Sequence, residues 1–147
     1  PWSDLETRWR VPHCARMLRP SDMRESAMPT TAEVAADFTA MLREGRFEEA
    51  GEKYWSQDVV SIEPMAMGDM PAETRGLEAL RAKGAWWYAN NTVVEFAAAG
   101  PYVHGDQFAL AFTMKIQPKP TGEVSGGDEI GLYTVRDGRI VEERFFY

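Results

Sequence analysis

Apolar positions along this chain change period twice. From Val34, the residues Val34, Phe38, Met41 and Leu42 fall at i, i+4, i+7 and i+8, which predicts a helix ending at Gly45. Thr30 and Glu33 before it have capping-box spacing. Phe47, Ala50, Tyr54 and Trp55 repeat the helical pattern in a second, shorter segment. Asp58 to Glu63 reads as a strand stopped by Pro64, and Met65 to Arg75 as a loop rich in Met, Gly and Pro. Leu77, Leu80, Gly84 and Trp87 mark a third helix. The period then becomes two. Strands are predicted over Thr92 to Ala99 and Gln107 to Ile116, the latter with unbroken alternation of Phe108, Leu110, Phe112, Met114 and Ile116. Two more strands flank Asp137-Gly138, a dipeptide suited to the positive φ of a type I′ turn. Helices followed by antiparallel strands predict an α+β domain with three helices on the concave face of a curved sheet.

Residues 1–29 lack any such period. They mix Trp2, Trp9, Pro12 and Pro20 with scattered arginines and read as an irregular, flexible extension or a docking arm, with the domain over residues 30–147. The chain opens on proline, which suggests a processed or partial start. Limited proteolysis is expected to cut before Thr30 and leave a stable core.

Charge narrows the function. The 147 residues carry a net charge of −7. An acidic domain without a basic stripe speaks against a nucleic-acid partner. No apolar run has the length of a membrane span, and the first residues lack the continuous apolar stretch of a signal peptide, so a cytoplasmic location is expected. One cysteine excludes an internal disulfide framework. His13 and His104 have no metal-ligand spacing, and no phosphate loop, nucleotide fingerprint or nucleophile elbow occurs. No metal and no cofactor is expected.

The candidate chemistry lies in carboxylates on apolar strands. With a regular two-residue turn at Asp137-Gly138, Leu132 pairs with Glu143 and Ile130 with Phe145. One hairpin face then carries Ile130, Leu132, Thr134, Val141, Phe145 and Tyr147, with Asp128 and Glu143 among them. One extra turn residue would put Glu129 and Tyr133 inward instead. Carboxylates on such a face are costly unless paired, protonated or used. Glu63, at the end of its strand, is the strongest candidate for a general base. The bland alternatives are a Glu63 that leaves the sheet end and meets solvent or Arg75, and a buried ion pair of Glu143 with Lys83 or Arg75.

The residues Ser61-Ile-Glu-Pro64, Arg75-Gly-Leu-Glu-Ala-Leu-Arg81, Gly105-Asp-Gln-Phe-Ala-Leu-Ala-Phe112 and the run from Tyr133 to Tyr147 resemble the SnoaL-like branch of the nuclear transport factor 2-like, cone-shaped fold. The resemblance covers about residues 30–147. It implies one pocket between sheet and helices that takes a small, mostly apolar organic molecule. Family activities include isomerisation, cyclisation and dehydration by acid–base catalysis without cofactor. Glu63 resembles the ketosteroid isomerase base in its Glu-Pro setting. The first-helix tyrosine of those isomerases is replaced by Phe38 and Met41, and the place of their acid falls on Ile130, which speaks against steroid-type dienolate chemistry. The expected site therefore has Glu63, Glu143 and Asp128 as catalytic residues. Tyr54, Trp87, Phe112 and Met114 are expected to line it, together with Leu132, Phe145 and Tyr147. A non-catalytic binding or dimerisation module is the alternative. A homodimer is expected through the sheet face away from the helices, with Phe146, Tyr133 and Phe96 ringed by Glu129, Glu142 and Arg144.

Overall fold

The structure, a computed structural model, describes residues 28–147. The expected extension and its proteolysis therefore fall almost wholly outside the described residues. Helices α1 (Thr31–Arg43), α2 (Phe47–Tyr54) and α3 (Leu77–Asn90) accompany strands β1 (Trp55–Ile62), β2 (Glu73–Arg75), β3 (Asn91–His104), β4 (Gln107–Pro118), β5 (Ser125–Arg136) and β6 (Arg139–Phe146). The strands form one curved, open sheet in the order β2-β1-β6-β5-β4-β3. It is mixed, because β1 runs parallel to β6 while every other pair is antiparallel. The architecture is the α+β cone that the sequence predicts.

Helix α1 starts where the capping box places it. The Thr30 hydroxyl oxygen accepts from the Glu33 N–H at 3.2 Å, and the Glu33 carboxylate accepts from the Thr30 N–H at 2.8 Å. Two orphan donors are thereby satisfied. Thr30→Ala should lower stability by about 1 kcal/mol, read as a reduced urea midpoint. An unchanged midpoint would mean that the first turn is held by tertiary packing alone.

The apolar stripe of α1 is buried against the sheet. Val34 and Ala35 are fully buried, and Phe38 meets Phe108, Tyr133 and Tyr54 edge-on. Phe108 stacks on Tyr133 across β4 and β5, with 4.8 Å between ring centroids. This core fills one end of the cone. Toward the other end the helices diverge from the sheet and leave a cavity.

The strand limits differ from the sequence reading in three main places. β1 begins at Trp55, not Asp58. β3 continues past Ala99 to His104 through an irregularity beside the cis Gly100–Pro101 bond. Glu73–Arg75, inside the expected loop, pairs with β1 as a short edge strand. His104 is exposed at the β3–β4 hairpin tip, beside Gly105 in its left-handed conformation.

The final hairpin carries the main correction. Its turn is as predicted, with φ of 52° at Asp137 and 72° at Gly138. Val135 pairs with Ile140, but Thr134 pairs with Glu142 and Tyr133 with Glu143. Val141 is thus a β-bulge residue, one unit longer than its partner strand. The extra residue lets Ile140 and Glu143 both face inward, which strict alternation forbids. On β5 the inward set becomes Glu129, Gly131, Tyr133 and Val135. Ile130, Leu132 and Asp128 pass to the outer face.

Candidate functional site

The cavity measures about 650 Å³ and lies between α1–α3 and the inner faces of β1 and β3–β6. That is ample for a drug-sized molecule. Its walls are mainly aromatic and aliphatic. Trp87, Phe112, Met114, Phe145 and Tyr147 line it as expected. Tyr54 does not. Its ring is in the core and its hydroxyl donates to Asp37 at 2.6 Å, because the last turn of α2 aims it at α1 rather than at the sheet opening. Leu132 does not line it either, since the bulge turns that register position outward. Asp128 borders the rim, but its carboxylate accepts from the Thr113 hydroxyl at 2.8 Å in an exposed cross-strand pair. The strand face it shares with Thr113 is the outer one, so it does not join the other carboxylates.

Polar groups converge at one side of this apolar cavity. Glu63 leaves β1 just where Pro64 ends the strand. One of its oxygens accepts from Lys83 Nζ at 2.5 Å, and the other from the Tyr147 hydroxyl at 3.3 Å. Both side chains of the Glu63–Lys83 pair are only 9% exposed. Lys83 also donates to Ser61 Oγ at 3.0 Å. The partner of Glu63 is therefore Lys83, not Arg75, which bonds Glu73 at the surface. Lys83 reaches the site because α3 sets it on the same stripe as Leu77 and Leu80.

Glu143 stands beside Ser61 in the parallel β1–β6 ladder. It is 5% exposed and accepts from the Trp55 indole N–H at 3.0 Å. Gly51 makes that bond possible. A Cβ there would lie 2.5 Å from the Trp55 ring, so only glycine lets the indole fold back over α2. Burial pushes the Glu143 carboxyl above its ordinary value, opposed by hydrogen bonds from Ser61 and Trp55 and by the charge of Lys83. Among the described residues Glu143 has no salt-bridge partner within 4 Å.

Glu129 completes the group. Paired with Phe112 on the inner face, it lines the cavity and has no hydrogen-bond partner among the described residues. Burial, and then the Glu63 charge, push its carboxyl up to about 7, with Lys83 acting in the opposite direction. Two tyrosines flank the carboxylates. Burial raises the Tyr133 phenol well above its ordinary value, as do Glu143, Glu129 and Glu63. Burial, followed by Glu63, pushes the Tyr147 phenol up to about 12. Both phenols stay protonated donors at neutral pH.

Of the expected catalytic set, Glu63 and Glu143 come together and Asp128 stays apart. Glu129 and Tyr133, expected on the outer dimerisation face, are inside instead, and Phe96 packs against the core. The sequence signal for Glu129 was the alternative register. For Lys83 the available signal is its spacing of three from Leu80, which a stripe drawn through Gly84 and Trp87 passes over. Groups of three or more His, Cys, Asp or Glu able to hold a metal are absent among the described residues, and no described helix is long and apolar enough to cross a membrane.

The sequence profile of the SnoaL-like domain matches residues 29–147. A proposed SnoaL-like polyketide cyclase of Mesorhizobium loti shares 49% identity, over 81% of this chain and 100% of its own, with a TM-score of 0.76. A proposed isomerase of Bacillus subtilis has the same fold at 21% identity, covering 78% of this chain and 84% of its own, with a TM-score of 0.63. So does TerC, crystallised with polyporic acid, at 17% identity over 80% and 90% of the two chains and a TM-score of 0.63. The search of curated proteins gives no match. A profile spanning the whole described domain, together with a relative of nearly half identity over its full length, shows that the chain belongs to the SnoaL-like family of the nuclear transport factor 2-like fold.

Proposed function

We propose that this protein is a cofactor-independent acid–base enzyme acting on a small, mostly apolar molecule, by isomerisation, cyclisation or dehydration. The observation that carries the reading is the pairing of unlike carboxylates in one apolar cavity. Glu63 is bonded to an ammonium, and Glu129 is bonded to none and pushed up to about 7. Two carboxyl groups held in different environments can divide the roles of base and acid. Glu63 takes a proton from the substrate, and Glu129, protonated for much of the neutral range, returns one. Glu143 fixes Trp55 and the floor of the cavity. The alternative of a binding module with a filled cavity has less support, because Phe112, Met114, Phe145 and Tyr147 line an open volume rather than closing it. The same reading includes a two-fold homodimer through the outer sheet face, now with Ile130 and Phe146, 43% and 51% exposed, as its apolar centre.

Proton exchange tests the acid–base reading without knowledge of the substrate. A bicyclic ketone such as 2-tetralone fits the size and polarity of the cavity. In D2O the protein should accelerate exchange of the protons beside its carbonyl. Glu63→Gln should abolish the acceleration, and Glu129→Gln should reduce it by roughly 100-fold, while both retain ketone binding. Exchange that is equally fast with the Gln variants, or absent although the ketone binds, defeats the acid–base reading.

A further inference from the structure

Tyr133 carries a polar group that the fold does not use. Its ring is 2% exposed and locked by Phe108 at 4.8 Å, Phe38 at 5.1 Å and Phe145 at 6.2 Å. Its hydroxyl makes no hydrogen bond among the described residues, and it is not sealed off as the unpaired Ser56 and Thr74 hydroxyls are, so it opens on the cavity. The residue lines the cavity. Its neighbour on the inner face is Gly131. A Cβ there would stand 2.9 Å from the Tyr133 hydroxyl and 2.8 Å from the Phe112 ring. Glycine therefore leaves the notch in which that hydroxyl lies. Glu129 stands on the other side of Gly131 along β5, and Glu143 faces Tyr133 directly across the ladder.

An unmatched phenol amid carboxylates defines the group it can receive. It can donate one proton to an acceptor on the ligand. That acceptor is not a carboxylate or phosphate. Glu63, Glu129 and Glu143 already share one cavity with Lys83, and that ammonium is bonded to Glu63 and Ser61. A further anion would find no free cation there among the described residues, because the lining cations Lys83 and Arg81 are already paired with Glu63 and Glu52, and it would be buried without compensation. An uncharged carbonyl oxygen carries no such cost and can accept from the phenol. We propose that the Tyr133 hydroxyl, in the notch left by Gly131, is the hydrogen-bond donor for the oxygen of an uncharged carbonyl substrate. The assignment rests on the acid–base reading for its catalytic meaning. There, the phenol would hold the oxygen on which negative charge develops when Glu63 removes the neighbouring proton. The proton passes to the Glu63 carboxylate, the electron pair moves to the carbonyl oxygen, and Glu129 returns a proton to carbon; the proton left on Glu63 then passes to Glu129 through solvent, which restores both groups.

Three matched probes test it: 2-tetralone, the hydrocarbon tetralin, and tetralin-2-carboxylate. The wild-type protein should bind the ketone roughly fivefold more tightly than the hydrocarbon, the advantage of one net hydrogen bond, and the carboxylate more weakly than either. Tyr133→Phe should equalise ketone and hydrocarbon while leaving hydrocarbon affinity in place, which also shows that the variant is folded. The carbonyl stretch of bound, isotope-labelled 2-tetralone should lie at lower frequency in the wild type than in Tyr133→Phe. Gly131→Ala should resemble Tyr133→Phe, because its methyl group displaces the hydroxyl. A ketone advantage or a carbonyl frequency that survives Tyr133→Phe overturns the donor assignment, and preferred binding of the carboxylate overturns the substrate class. Tyr133-dependent ketone binding without proton exchange supports the donor assignment and refutes the acid–base reading alone.

Discussion

Replacing Lys83 with methionine is expected to destabilise the protein by about 3 kcal/mol, lowering the melting temperature by roughly 10 °C. The methionine fills a similar volume, so the effect is electrostatic. Lys83 is 7% exposed and bonds Glu63 and Ser61 across the space between α3 and β1. Without the ammonium, a carboxylate that is 9% exposed is left with the Tyr147 hydroxyl as its donor. Removing one member of a buried pair is costly for that reason, whereas removing both is far less so. The double variant Lys83→Met/Glu63→Gln should therefore recover most of the lost stability. Thermal melts of the three proteins at pH 7 give the comparison. If the double variant melts at the same temperature as Lys83→Met, the loss comes from packing of the α3 stripe and not from the orphaned charge.

Stability should also fall between pH 4.5 and about 7, where many carboxylate-rich proteins gain it. Glu129 drives this. Its carboxyl lies at about 7 in the folded protein against an ordinary value of 4.5, first through burial and then through Glu63. In that window the folded chain holds a proton that the unfolded chain has released. Stability thus declines as pH rises, and the contribution is complete below pH 4.5 and lost above 7. Each pKa unit corresponds to about 1.4 kcal/mol, so the share of Glu129 is at most on the order of 3 kcal/mol. Glu143 acts in the same direction. Below pH 4.5 the opposite group takes over. Asp37 is lowered by its hydrogen bonds from Lys53 and Tyr54, and Glu52 by its bond from Arg81, so protonating them removes stability. Glu129→Gln should flatten the decline above pH 4.5 while leaving the acid limb unchanged. A urea-unfolding series from pH 3 to 8 checks both limbs. A wild-type curve that rises steadily to pH 7 would show that the Glu129 carboxyl is solvated.

The architecture was legible in the sequence where one local rule acted alone. Phe108 to Ile116 alternates without interruption, so one face of β4 had to be buried. Thr30 and Glu33 had no competing use, and Asp137-Gly138 made the turn its φ angles demand. The site was only half legible, because it depends on features that local rules do not encode. The bulge at Val141 leaves no mark in composition, yet it decides whether Glu129 or Asp128 faces the cavity. Lys83 breaks the apolar stripe of α3, and a lysine there reads as a flank residue until a carboxylate on another element is known to meet it. Trp55 extends the period of α2 but belongs to β1, because Gly51 allows its ring to fold back over the helix. Of these, only the Lys83–Glu63 bond joins distant segments; the bulge and the Gly51–Trp55 contact are local backbone geometry that the hydrophobic pattern does not record.

The bulge also bears on how relatives of this chain should be compared. Val141 adds length to β6 without a counterpart on β5, and the pairing beyond it is regular again. A relative lacking that residue can keep the same inward carboxylate, indole contact and aromatic wall. Its alignment to this chain then needs a gap of one position inside a strand, where gaps are usually penalised most. An ungapped alignment would match Glu143 to an outward residue of the relative, and a conserved acid would look like a lost one.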